Sequence, residues 1–169
     1  MSRPLEDVKI LDLTRLLPGG FCTLLLADLG ADVIKVEDTG QGDYVRWAPP
    51  YYGSEEHTQL GTRSAIYLSL NRNKRSVRLD LKQEGGQQAL VKLVESADVL
   101  VESFRPGGLD RLGVGYEALR QINPRVVYCA ITPKAAIIAP PPRSAIWPAL
   151  WIGGPSGRPV SPRRLPSPR

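Results

Sequence analysis

Five short runs rich in Val, Ile and Leu, separated by stretches of helical periodicity, constrain this chain more than any other feature it carries. They fall at residues 8–13, 32–37, 76–81, 98–102 and 125–131. Between them, residues 21–29 place Phe21, Leu24, Leu25 and Leu29 on a helical spacing that suits a buried helix, with Gly30 as its natural stop. Residues 83–97 repeat the stripe at Ala89, Leu90, Leu93, Val94 and Ala97. A shorter helix at 116–122 is stopped by Asn123 and Pro124, because the residue before proline avoids the α region. Apolar strands alternating with helices predict an α/β fold with a Rossmann-like, open, mostly parallel sheet. Residues 38–76 interrupt the rhythm with Gly40, Gly42, Pro49, Pro50 and Gly53, and a helical turn is expected there at 65–70.

After Thr132 the pattern stops. Ten of the 16 prolines lie in residues 133–169, which also hold six basic residues and no acid. Proline removes a backbone donor and clashes within helices and central strands, so this Pro/Arg-rich tail is expected to be disordered. The chain thus divides into a segment 1–132, at net charge −1, and a tail 133–169, at +6. The whole-chain charge of +5 therefore describes the tail, and no nucleic-acid partner is expected from it. No apolar run approaches the ~18–20 residues that span a bilayer, and the N-terminus lacks the apolar core of a signal peptide. Two cysteines make no disulfide framework, so a reducing, cytoplasmic setting is expected.

The candidate functional residues are individually weak signals. Leu17-Pro18-Gly19-Gly20 falls at the first strand-to-helix junction, where backbone N–H groups can hold an anion or glycine can simply allow close packing. Arg72, Lys74 and Arg75 precede a strand, as a solvated basic turn or a phosphate grip. Ser103-Phe104-Arg105 follows a strand, where open α/β sheets bind ligands and where an aromatic and an arginine can hold a nucleotide. His57 has no neighbouring Cys or second His, so no metal is expected. Cys22 and Cys129 read as buried small hydrophobes.

The order and wording of these segments carry more. Residues 5–14 and 26–37, then Asn71-Arg72-Asn73-Lys74-Arg75 running on to Lys82, then residues 98–107 and 122–128, resemble in sequence the N-terminal part of a family III CoA-transferase of the CaiB/BaiF type. That family also includes formyl-CoA transferase and α-methylacyl-CoA racemase. The resemblance implies a Rossmann-like domain that takes coenzyme A or an acyl-CoA as substrate, a carboxylic acid as acceptor and no metal. By position, Leu17, Pro18, Leu79, Asp80, Leu81, Lys82, Ser103, Phe104, Arg105 and Arg111 would line the CoA site. Lys82, Arg105 and Arg111 suit its phosphates and Phe104 its adenine. Asp38 departs from the pattern, since some family members carry a basic residue there.

The resemblance carries further expectations for the chain past residue 132. The family continues with a Gly-aromatic-Gly segment, forms interlocked homodimers, and carries its nucleophilic aspartate downstream; here Asp110 is the last aspartate. No catalytic residue is therefore assigned, and the expectation is a truncated transferase without turnover, its tail read as out of frame. A racemase-type fragment is one alternative. A noncatalytic CoA-binding or scaffold protein is another, because Pro159, Pro162 and Arg164 fit a PxxPxR pattern.

Overall fold

A computed structural model of the chain describes residues 2–53 and 64–132, together with the backbone of a strand at 136–139. In chain order the elements are β1 (Lys9–Leu13), α1 (Leu16–Asp28), β2 (Asp32–Glu37), a 3-10 turn (Tyr44–Trp47), α2 (Ala65–Leu70), β3 (Lys74–Arg78), α3 (Glu84–Val94), β4 (Val99–Glu102), α4 (Gly108–Arg111), α5 (Tyr116–Ile122), β5 (Val127–Ile131) and β6 (Ala136–Ala139). The strands form one sheet in the order β3-β2-β1-β4-β5-β6. Its first five strands are parallel, and β6 pairs antiparallel to β5.

Strand alternation sends neighbouring residues to opposite faces, and both faces are covered. Leu11, Leu13 and Leu100 join Leu90, Val94, Leu109, Leu119 and Val126 under α3, α4 and α5. On the other face Ile10, Val33 and Val101 pack with Ala27 of α1 and with Ala31. Leu90, Leu100 and Leu119 are fully buried, each stabilising the fold by about 1.5–3 kcal/mol relative to exposure.

Several elements differ from the sequence expectation. Helix α1 begins at Leu16, so Pro18, Gly19 and Gly20 lie within it rather than in a turn before it. Pro18 is tolerated because N–H groups of the first helical turn have no partner within the helix. Gly19 is required by contact: a Cβ there would lie 2.2 Å from Cβ of Thr14. Phe21, Leu25 and Leu29 are exposed, not buried, and with Leu17 they form an apolar stripe along the outside of α1. Strand β3 starts two residues before the expected run and ends at Arg78, the partner of Glu37 at the end of β2. Residues 136–139 are strand rather than disorder, an Ala-Ile-Ile-Ala run extending the sheet edge. His57, the remaining tail residues and the PxxPxR pattern lie outside the described residues.

Candidate functional site

The sheet order reverses between β1 and β4, and ligands of open α/β sheets bind outside the carboxyl ends of the strands at such a point. The two exit loops are tied together there, since the Arg15 N–H donates to Ser103 Oγ at 2.9 Å. Beside this tie, a cleft is lined by Leu13, Arg15, Val36, Glu37, Asp38, Leu79, Asp80, Leu81, Lys82, Phe104 and Leu112. Its volume of about 90 Å³ is well below the ~300–1,000 Å³ of enclosed ligand pockets, so these residues form a wall open to solvent.

Two buried ionic networks hold that wall in place. In the first, Asp12 is fully buried and accepts from Thr14 N–H at 2.9 Å, from Thr23 Oγ1 at 2.5 Å and from Lys74 Nζ at 3.2 Å. Lys35 Nζ lies 3.9 Å from the same carboxylate and donates to the Thr14 carbonyl at 2.9 Å. It also lies 2.9 Å from Asp43 Oδ2, an ion pair without a well-angled hydrogen bond. Asp43 Oδ1 takes the Leu16 N–H, so a carboxylate of the chain itself caps the start of α1.

In the second network, the Arg46 guanidinium meets Glu37 through Nε at 2.6 Å and Nη2 at 2.7 Å. It also lies 3.8 Å from the centre of the Tyr67 ring. Glu37 additionally accepts from Ser76 Oγ at 2.6 Å, Tyr67 Oη at 3.0 Å and Asp43 N–H at 2.9 Å. Burial alone would raise the Glu37 carboxyl, but the bonds from Arg46, Ser76 and Asp43 and the Arg46 charge bring it down to about 2. The connection after β2 is thereby tied to the sheet by charge as well as by burial of Val45.

The residues expected at the site separate into two groups. Leu79, Asp80, Leu81, Lys82 and Phe104 meet on the cleft wall. Ser103 stands just behind it as the acceptor for Arg15. Leu17 and Pro18 sit in the first turn of α1 outside the wall, with Leu17 exposed; Arg105, in the loop after β4, and Arg111, at the end of α4, are exposed and do not line the cleft. In the basic turn Arg72 and Arg75 are exposed to solvent yet each is engaged by an acid, while Lys74 is buried. Arg72 pairs with Asp28, Lys74 with Asp12 and Arg75 with Asp32.

Glu102, at the end of β4, aims the exit loop: it accepts the Phe104 N–H, and Tyr128 Oη donates to it at 3.3 Å. Burial is the main reason its carboxyl is raised, against the lowering effect of those two bonds. Cys22 is exposed, contrary to expectation, and Cys129 is half-buried, its thiol pushed by burial up to about 11. Among the described residues, no group of three or more His, Cys, Asp or Glu is arranged to hold a metal ion, and no helix is long and apolar enough to cross a membrane.

The 79–82 segment is pinned by the start of α3. Asp80 O accepts the Gln83 N–H at 3.0 Å, and Gln87 Nε2 donates to the Leu81 carbonyl at 3.0 Å. A Cβ at Gly86 would lie 2.0 Å from the Asp80 carbonyl oxygen. Gly86→Ala is therefore expected to destabilise the fold by about 1–3 kcal/mol in urea denaturation. An unchanged midpoint would show that α3 does not pin this segment.

The parallel sheet, with a cleft beside the β1/β4 reversal, places the chain in the class of open, Rossmann-like α/β proteins. The model of CoA-transferase family III matches residues 5–133, and the chain belongs to that family. It is 48% identical over 131 residues to human succinyl-CoA:glutarate CoA-transferase, covering 77% of this chain and 28% of that one. It is 45% identical over 127 residues to succinyl-CoA:mesaconate CoA-transferase of Haloarcula hispanica, covering 75% and 31%. Among solved structures, a CAIB/BAIF family protein from Brucella suis matches with TM-score 0.68 and 44% identity, covering 77% of this chain and 33% of that one. A hypothetical protein from Mycobacterium tuberculosis matches with TM-score 0.69 and 36% identity, covering 79% and 35%. The chain thus spans about a third or less of the length of these relatives.

Proposed function

We propose that this chain supplies the coenzyme A-binding part of an enzyme that moves CoA between an acyl-CoA and a carboxylic acid. The observation carrying the reading is the convergence of Leu79, Asp80, Leu81, Lys82 and Phe104 on one wall at the sheet's reversal point. Leu79, Leu81 and Phe104 give that wall an apolar surface for the adenine or the pantetheine arm. Lys82 on the wall offers a cation to the phosphates, and the exposed Arg105 and Arg111, carried by the connection after β4, offer two more. Succinyl-CoA with glutarate is the first substrate pair to try, because a relative 48% identical is named for it. The same reading gives a second copy of the chain as partner, and the exposed stripe of Leu17, Phe21, Leu25 and Leu29 is apolar surface suited to such contact.

Calorimetric titration of the 169-residue chain with CoA tests the binding reading. Saturable binding is expected, weakening about 3–10-fold in Lys82→Ala and declining with added salt, as an ionic contact to phosphate requires. A cooperatively folded chain that shows no saturation with millimolar CoA would overturn the reading.

A further inference from the structure

We propose that Arg15 is a phosphate-gripping residue of the cleft and that Asp38 is its resting partner, exchanged for a phosphate when the ligand enters. The proposal rests on the coenzyme A reading and adds to it a residue that the sequence did not single out. Three cations near the site are committed elsewhere: Lys35, Lys74 and Arg46 are buried against Asp43, Asp12 and Glu37. Arg15 is different. It lines the cleft at the end of β1, and its side chain is 35% exposed.

Its guanidinium is held ready in one orientation. It lies 5.3 Å from the centre of the Tyr44 ring and 5.6 Å from that of Phe104. Nη1 donates to Tyr44 Oη at 3.1 Å, and Nη2 donates to Asp38 Oδ2 at 3.1 Å. Two aromatic rings remove much of the rotamer freedom that an arginine otherwise loses on binding. Its planar fork matches two phosphate oxygens at once.

Asp38 divides its two oxygens between two tasks. Oδ1 accepts the Gly40 N–H at 2.9 Å and the Gly42 N–H at 3.3 Å, which shapes the loop after β2. Oδ2 accepts from Arg15 and, among the described residues, from no other side chain. The second contact is a partly exposed ion pair of the kind that contributes little net stability, so a phosphate can replace it while the loop stays formed. An acid at this position thus lowers CoA affinity at rest and keeps Arg15 pointed at the cleft.

The test compares CoA titrations of the wild-type chain, Arg15→Gln, Arg15→Lys, Asp38→Asn and the Arg15→Gln/Asp38→Asn double variant. Arg15→Gln is expected to weaken binding about ten-fold or more, and Arg15→Lys to recover part of it, since lysine keeps the charge but not the fork. Asp38→Asn keeps an Oδ1 acceptor for Gly40 and Gly42, and is expected to tighten binding about three-fold or more through release of Arg15. That gain should vanish in the double variant. ADP should follow the same order, and pantetheine, without phosphates, should not distinguish the variants. Wild-type binding with Arg15→Gln or Arg15→Lys variants equally tight would overturn the role of Arg15 alone. Weaker binding by Asp38→Asn would overturn the exchange. Absence of CoA binding by the folded wild-type chain would overturn the coenzyme A reading and this proposal together.

Discussion

Replacing Glu37 by Gln is expected to lower the free energy of unfolding by about 3–5 kcal/mol, a large share of the ~5–15 kcal/mol that holds a domain together. Gln preserves size and most hydrogen-bonding geometry, so the loss comes from charge. Arg46 would remain buried beside the sheet with no counter-ion, and Ser76 and Tyr67 would face a weaker acceptor. The same group gives the protein an acid limb. Its folded value of about 2 lies below the ordinary value of 4.5, so the unfolded chain binds the extra proton first. The stabilisation is therefore complete above about pH 5 and drains as the pH falls toward 2. Urea denaturation between pH 7 and pH 3 checks both points: the wild-type chain should lose stability across that range and Glu37→Gln should lose much less. Parallel pH profiles for the two proteins would show that Glu37 is not held in its charged form by Arg46.

Asp12→Asn is expected to be comparably damaging, by about 3–5 kcal/mol, because its carboxylate, with no exposed surface, is the counter-ion of buried Lys74 and also lies 3.9 Å from Lys35, which Asp43 pairs more closely. An amide nitrogen in place of Oδ2 would meet donors on Lys74 and Thr23, leaving donors facing one another inside the fold. The cost should be non-additive. Lys74→Met removes the stranded charge, so the Asp12→Asn/Lys74→Met double variant should be more stable than the sum of the single losses implies. Thermal melts of the four proteins give that coupling, and strict additivity would show that Asp12 and Lys74 do not act as a pair. Both networks bear on the cleft. Asp12 and Asp43 fix the start of α1 beside Arg15, while Glu37 is itself part of the wall.

Local pattern made much of the sheet legible. The run at 32–37 and the helices at 65–70 and 116–122 stand where periodicity and stop signals put them. Residue alternation at Val77, Leu79 and Leu81 looked like strand, yet pairing ends at Arg78, where β2 has no further residue to offer. Leu79 and Leu81 instead turn onto the cleft wall. Pro18 and Gly19 looked like a turn because their helical setting has distant causes: Asp43 caps Leu16 across 27 residues, and Thr14 fills the space beside Gly19. The basic residues at 72–75 looked available for phosphate because their partners, Asp28, Asp32 and Asp12, lie 43 to 62 positions away in sequence.

The site divides along the same line. Residues borne on the family-like motifs, Leu79 to Lys82 and Phe104, meet in space as their order implied. Arg15 was missed because its value comes from its surroundings. Tyr44 and Asp38 come from the connection after β2 and Phe104 from the loop after β4, and only the folded sheet brings them around one guanidinium. The buried acids did leave a trace in the sequence, since Asp12 and Glu37 each sit inside or at the end of a run rich in Val, Ile and Leu. A charge in such a place requires a partner, and here the partners build the frame of the cleft.

Hydrogen–deuterium exchange of the full chain with and without saturating CoA is the most direct measurement of where the ligand sits. Added protection is expected at residues 13–17, 79–82 and 103–105, with the opposite edge of the sheet unchanged. Protection confined to the amino ends of the strands, or to the outer face of α1, would contradict a coenzyme A site at the carboxyl ends of β1 and β4.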